Sequence, residues 1–393
     1  MNFRTSPQLS EAEVKTGLSY IVKEGLAAEA MSTFTSGAFL VALALHLGAT
    51  NFQIGLLAAL PTFTHIFQLL SIWLVQRYRN RRVISVICTI AARIPLLVIG
   101  FLPFVFSAGT SLYTLLFLLF FQYFFGSVSG ASWHSWIKDL VPQNIFGTYF
   151  SNRTRLIQIV NVTLSLAIAI SLDYVKRHFP QYEILAYAVM FVTGGAIGML
   201  GVYFLSRAPE PATTLSHDVP VYKLIAKPLR DKNFRKLLTF HAAWVFALNL
   251  AMPFYAVYLM KTLALPMYYV IGFGMIAQLS SICSIKMWGR FTDRYSNKTI
   301  IAVCAPAFVA CTLAWSFTNG THPLYMLLLV TIHLVSGAAA AGINLAIHNI
   351  AVKLAPSNEA IVYISARNIV IAIFGALAPV SYTHLTLPTK RIV

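Results

Sequence analysis

The sequence predicts an all-α, polytopic fold, a bundle of helices that crosses a lipid bilayer many times. Three observations predict it. Of 393 residues, 58% are hydrophobic and 10% charged, whereas a soluble domain carries about 25% charged residues; the mean hydropathy is +0.71. Apolar stretches of about 20 residues, each long enough to cross a hydrocarbon core, recur along the whole chain. Finally, a set of residues ahead of the fifth stretch returns at one fixed interval ahead of the eleventh, so the chain reads as a duplication.

Taken in order, residues 1–24 are polar and lack the apolar core of a cleavable signal peptide. Spans are predicted at 25–47, 53–75, 83–106, 111–133, 154–172 and 184–206. A polar segment, 207–236, separates them from spans at 237–260, 268–288, 299–318 and 324–347, and an eleventh begins near 362. Cys88, Cys283, Cys304 and Cys311 all lie inside apolar runs and read as small core residues.

The net charge of +17 is a topology signal, because the cations are concentrated in alternate links. Arg77, Arg79, Arg81 and Arg82 follow span 2, and Arg290, Arg294 and Lys298 follow span 8. The middle segment holds Lys223, Lys227, Arg230, Lys232, Arg235 and Lys236, while the opposite loops 48–53 and 107–111 carry no charge. By the positive-inside rule the N-terminus, the middle segment and the link at 289–298 are cytoplasmic. Lys176, Arg177 and Lys261 are the exceptions. Nucleic acid is not the partner this pattern describes, though lipid headgroups could meet the middle segment.

The repeat pairs His134, Leu140 and Pro142, then Tyr149, Ser151 and Arg153, with His348, Leu354, Pro356, Tyr363, Ser365 and Arg367, each 214 residues on. Between spans 8 and 9 the chain reads Gly289-Arg-Phe-Thr-Asp293-Arg294-Tyr-Ser-Asn-Lys298. This link resembles the loop signature of the major facilitator superfamily of transporters, and the duplication resembles that family's two like-oriented six-helix halves about a pseudo-twofold axis along the membrane normal. The resemblance implies an N-terminal half at 1–206, a cytoplasmic central loop at 207–236 and a C-terminal half at 237–380. Read from the residues, Gly289 frees the backbone where a helix ends and Asp293 can sit at a helix terminus and accept backbone N–H bonds; the alternative is an ordinary solvated connection. The resemblance implies that Gly289, Asp293, Arg294 and Lys298, with Arg77 and Arg81 in the other half, belong to a gating motif.

Two departures stand out. Ile72 and Gln76 occupy the places of the family's Gly and Asp in the first half, which leaves that half without its acid. Residues 381–389, Ser-Tyr-Thr-His-Leu-Thr-Leu-Pro-Thr, resemble a translated sequencing-library adapter. Residues 381–393 therefore read as a non-native tail, with part of span 11 and all of span 12 missing; the alternative is a genuine polar tail.

No phosphate cradle of the form Gly-x-x-x-x-Gly-Lys-Ser/Thr occurs, and neither hydrolase nor metal-ligand spacing is seen. The chain thus reads as a non-enzymatic secondary transporter with no cofactor or metal, using a proton or sodium ion as the candidate coupling ion. Polar residues inside spans are costly and therefore site candidates. The resemblance implies that spans 1, 4, 7 and 10 line the cavity, which singles out Gln122, Tyr123, His241, Trp244, Asn249, Tyr255, His333 and Asn344. Each has the alternative of a helix-packing role, and Gln278 is weaker. Arg93, deep in span 3, reads either as half of a structural ion pair or as an attractor of an anionic substrate. Glu29 is either a proton carrier, if inside the bundle, or a solvated acid at a helix start.

Small residues at four-residue spacing, Gly126 and Gly130 in span 4 and Ser336 to Gly342 in span 10, suit close packing, static or sliding. The Asn-x-Thr at Asn161 lies inside a span and is not read as a glycosylation site. The expectation is a monomeric, multi-pass carrier of a small organic solute in a bacterial inner membrane, working by alternating access, with efflux and uptake both open. A non-transporting sensor or scaffold, or a lipid-handling flippase-like protein, is the alternative.

Overall fold

A computed structural model of the chain describes residues 9–142, 145–211, 227–318, 324–355 and 360–386. Within these, the side chains of 72, 76, 146–148, 151, 253, 293, 352, 360–362, 364–365, 380 and 382–386 are not described. Lys223, Pro356 and 387–393 therefore lie outside the described residues, as do the side chains of Ile72, Gln76, Ser151, Asp293 and Ser365.

Among the described residues, ten helical segments are long and apolar enough to span a membrane, and they fall on the ten complete predicted spans. Span 1 comprises α1 (Glu11–Thr35) and α2 (Gly37–His46), and span 2 comprises α3 (Asn51–Thr64) and α4 (Gln68–Tyr78). Next come α5 (Arg81–Ile99), a short α6 (Leu102–Val105), α7 (Ala108–Leu140), α8 (Phe146–His178) and α9 (Glu183–Leu205). Spans 7 to 11 are α10 (Lys232–Val257), α11 (Met267–Arg294), α12 (Asn297–Ala314), α13 (Tyr325–Leu354) and α14 (Ala360–Thr386). The backbone of α14 stays helical six residues into the stretch read as a tail.

Three local features depart from the sequence expectations. Helix α1 begins fourteen residues before the predicted start of span 1, because Ser10 and Glu13 form a reciprocal capping box at Glu11. Span 1 is not continuous: Ser36 is extended and Gly37 has φ +60°, a backbone only glycine adopts without strain, so the helix breaks and restarts there. Gly289 does not end a helix. Helix α11 runs through it to Arg294, and the turn is Tyr295-Ser296, with the Ser296 hydroxyl accepting from the Thr299 N–H to start α12. The acid expected at a helix terminus, Asp293, sits in the last turn of α11.

The chain forms two compact units, Met1–Val221 with Gly375–Val393, and Tyr222–Phe374. In the first, α7 packs along α3, α4 and α5, and α9 packs along α1 and α5. Hydroxyl pairs tie the former group together: Ser71 with Ser132 at 2.8 Å and Thr89 with Ser129 at 2.6 Å. Glycines make the second contact close. A Cβ on Gly194 would fall 2.7 Å from that of Phe34, and one on Gly195 would fall 2.8 Å from Leu97 Cδ2. In the second unit α13 packs along α11, α12 and α10, so the span 2–4 and 3–4 pairings of the first unit recur as 8–10 and 9–10. The repeat residues play matched parts in the two cores. Tyr149 donates to the Leu18 carbonyl of α1 at 3.0 Å, and Tyr363 meets Phe234 of α10 edge-on at 4.8 Å.

Cys304 and Cys311 are buried as expected, but Cys283 is exposed. Large apolar side chains are exposed along the helices, Leu313 at 64% and Phe104 at 55% among them. In a bilayer they face lipid tails, which solvate them as a core would.

Candidate functional site

The first unit holds an open cavity of about 580 Å³, lined by side chains of α1, α3, α4, α5, α7, α8 and α9. That volume suits a small molecule, since ligand pockets run from roughly 300 to 1,000 Å³. Its wall is unusually polar for a membrane-spanning bundle, with three charged groups, Glu24, Arg93 and Arg153.

Arg93 stands 5% exposed on α5, just over three turns into the helix, and the surrounding sequence makes room for it. A Cβ on Gly201 of α9 would sit 2.5 Å from Arg93 Nη1, so only glycine leaves space for the guanidinium. Arg93 Nη2 donates to Glu24 Oε1 at 2.8 Å, and Nη1 donates to the Gly198 carbonyl at 2.5 Å. The partner predicted for a charge at that depth is therefore Glu24, and the pair is buried on both sides. Arg153 of α8 stands on the other side of the same carboxylate, 3.8 Å from Glu24 Oε2. Its guanidinium lies against the backbone of Gly25, where a Cβ would meet Nη2 at 2.5 Å, and under the Trp133 ring, with Cζ 5.0 Å from the centroid.

The neutral part of the wall comes chiefly from α7. Gln122, Tyr123, Ser127 and Trp133 line it, with His65 and Gln68 from span 2 opposite. Gln122 Oε1, Ser127 Oγ, Trp133 Nε1 and Arg153 Nε are buried without a hydrogen-bond partner among the described residues. Gly126 and Gly130 open onto this space: an added Cβ on either meets nothing within 4 Å. They make the hollow rather than a helix contact. In span 10, by contrast, Cβ atoms on Gly337 and Gly342 would run into the Ala277 carbonyl oxygen and Cys304 Sγ, so those glycines do serve packing.

Of the residues singled out in the sequence, Gln122, Tyr123 and Arg93 meet at this cavity. Glu29 does not line it; its Oε1 accepts from Asn161 Nδ2 at 2.7 Å, which accounts for the Asn-x-Thr inside the span. The remaining candidates belong to the second unit. His241 stands on α10 within electrostatic reach of Arg367, and both His241 Nδ1 and Arg367 Nε are buried without a described partner. Trp244 packs edge-on against Phe308, and Asn249 Nδ2 turns back to the Val245 carbonyl at 2.9 Å. Tyr255 stacks on Trp315 at 4.3 Å, and His333 stacks on Phe273 at 5.0 Å while its Nδ1 lies 2.7 Å from the Leu329 carbonyl. Asn344 is exposed. These contacts give Trp244, Asn249, Tyr255 and His333 structural partners.

A second charged cluster lies at the N-terminal end of α5. Arg81, 1% exposed, donates from Nη1 to Asp139 Oδ2 at 2.5 Å and from Nε to Glu210 Oε1 at 3.2 Å. The Glu210 carboxylate also accepts the Arg81 N–H at 2.9 Å and the Arg82 N–H at 3.0 Å. It thus caps the positive end of α5. The acid that the link after span 2 lacks is supplied from beyond span 6. Further bonds hold that segment: Trp136 Nε1 to the Pro209 carbonyl at 2.9 Å, Arg81 Nη2 to the Pro211 carbonyl at 3.3 Å, and Arg82 Nη2 to the Ser206 carbonyl. Arg77, Arg294 and Lys298 are exposed, with Arg294 over the Tyr295 ring at 5.4 Å. The sequence reading missed Glu24, Arg153's place at the cavity, and Glu210. The Ser10-x-x-Glu13 box would have lengthened span 1 enough to bring Glu24 inside it.

The family model described as Major Facilitator Superfamily matches residues 25–379. A search of curated protein sequences gave no significant match. Among solved structures, the nucleoside transporter NupG superimposes with a TM-score of 0.69 at 15% identity, covering 94% of this chain and 90% of that one. A bacterial homologue of the human lysosomal transporter Spinster, inward-facing and unoccupied, gives 0.66 at 16%, covering 95% and 82%. The inward-open xylose transporter XylE from E. coli gives 0.63 at 12%, covering 94% and 88%.

Proposed function

The chain belongs to the major facilitator superfamily, and from that premise we propose that it carries a small organic solute across a bacterial inner membrane by alternating access. It is a multi-pass membrane transporter, not an enzyme. The observation that carries the finer reading is the cavity of about 580 Å³, whose wall holds unbonded polar atoms inside an otherwise apolar bundle. Leaving such groups unbonded is costly unless a ligand meets them. NupG and XylE are named as transporters of nucleosides and xylose, solutes of a size that such a space suits. An ion gradient is the proposed energy source, with the proton first to be tested.

The experiment is uptake and efflux of labelled organic acids, pentoses and nucleosides in proteoliposomes, with and without an imposed pH gradient. Flux of one class that the gradient accelerates supports proton-coupled transport. Flux indifferent to the gradient removes the proton. A folded protein that binds a member of the panel and moves none of it is a sensor, and the transport mechanism falls.

A further inference from the structure

We infer that the solute carries an anionic oxygen group, a carboxylate or a phosphate, and that this group docks on Arg153. The inference rests on the reading of the unit 1 cavity as the solute site and specifies its chemistry. With the histidines neutral, the charges of the wall do not cancel: Glu24 is one anion, and Arg93 and Arg153 are two cations. Arg93 already has a hydrogen bond on each terminal nitrogen, one to the carboxylate and one to a carbonyl. Arg153 is not. Its nearest approach to Glu24 is 3.8 Å, beyond a hydrogen bond, and its Nε is buried with no partner among the described residues.

The surplus cation is also held in place. The guanidinium lies close against the Gly25 backbone and within 5.0 Å of the Trp133 ring centroid, and these neighbours limit its freedom. The same indole contributes a second bare donor, Nε1. An arginine fork beside an indole N–H is a donor set for the two oxygens of a carboxylate or phosphate. Gln122 Oε1 and the buried Ser127 hydroxyl, also without partners, are suited to a hydroxyl or amide on the rest of the molecule. Arg367, 214 residues further on, shows an equally bare Nε in the second unit, so both copies of the repeat keep an arginine with an unmet donor.

The test uses the full chain in lipid nanodiscs and matched pairs of ligands differing in charge: lactate against lactamide, and glycerol 3-phosphate against glycerol. Binding is read by thermal stabilisation over a concentration series. The anionic member of one pair is expected to bind at least tenfold more tightly than its neutral partner, and the responding pair identifies carboxylate or phosphate. Arg153→Gln should weaken the anion by roughly 10- to 100-fold and erase the preference, as loss of a charge-assisted bond would. Arg153→Lys should keep the preference at reduced affinity, and Trp133→Phe should weaken the anion several-fold. If Arg153→Gln fails to fold, the wild-type pairs and Trp133→Phe still decide. Equal binding within both pairs, no binding of either anion, or a preference that survives Arg153→Gln overturns the inference. Flux separates it from the transport reading: anion binding without flux sinks transport alone, whereas flux confined to neutral solutes sinks the inference alone.

Discussion

Replacing Glu210 by alanine removes a carboxylate that is 2% exposed and accepts three N–H groups, two from the backbone of α5 and one from Arg81. Each bond to a charged group contributes about 1.5–3 kcal/mol, but the three share one acceptor and are not additive. The larger effect is on Arg81, left 1% exposed with Asp139 as its remaining carboxylate, and that one is itself 46% exposed. Breaking a buried pair by removing one partner costs about 3–5 kcal/mol, and that is the expected loss. For a unit of this size it corresponds to a fall in Tm of roughly 10 °C. Tryptophan fluorescence during thermal unfolding is the assay, because Trp136 bonds the same segment through the Pro209 carbonyl. Hydrogen exchange at the first amides of α5 should accelerate in parallel. Glu210→Gln retains an acceptor without the charge and should lose about half as much. Adding Arg81→Met to Glu210→Ala should recover stability, since no cation is then stranded. Melting within about 0.5 kcal/mol of wild type, the range of an ordinary surface change, would refute the capping argument.

Other outcomes follow from the same geometry. Glu24→Gln strands Arg93 and should cost about 3–5 kcal/mol, much of it restored when Arg93→Gln is added; a double-mutant cycle with coupling near zero would remove the buried pair as an energetic unit. Gly337→Leu drives a side chain into the Ala277 carbonyl and should destabilise by at least about 1–3 kcal/mol, whereas Gly126→Ala meets nothing and should leave melting unchanged or raise it slightly. A melting loss in Gly126→Ala matching that of Gly337→Leu would show that Gly126 packs against a helix after all. Asp293→Asn should lower solute flux while expression holds; undiminished flux would take Asp293 out of the gate.

The ten membrane-crossing segments were legible because crossing a hydrocarbon core demands about 20 apolar residues whatever their neighbours, a local requirement written in the composition of each stretch. The duplication was legible for a similar reason: Tyr149 and Tyr363 sit at one interval in the chain and meet span 1 and span 7 respectively. Cation placement followed from the links alone. Helix ends were less so, and Gly289 shows why. A glycine in a helix costs about 1 kcal/mol, too little to stop α11, which runs on through Arg294 before Ser296 starts the next helix.

What the letters did not hold was pairing across the chain. Glu24 and Arg93 are 69 residues apart, and Arg81 and Glu210 are 129 apart. Gly126 and Gly337 look alike in sequence, yet one faces a hollow and the other a carbonyl. A charge inside a membrane needs a counter-charge, and that rule predicted a partner for Arg93; which carboxylate supplies it depends on how α1, α5 and α9 approach over their glycines. Burial energy is local to a segment, so the spans could be read one at a time. Hydrogen bonds and ion pairs act over about 3 Å between distant residues, so the site existed only once the helices had packed.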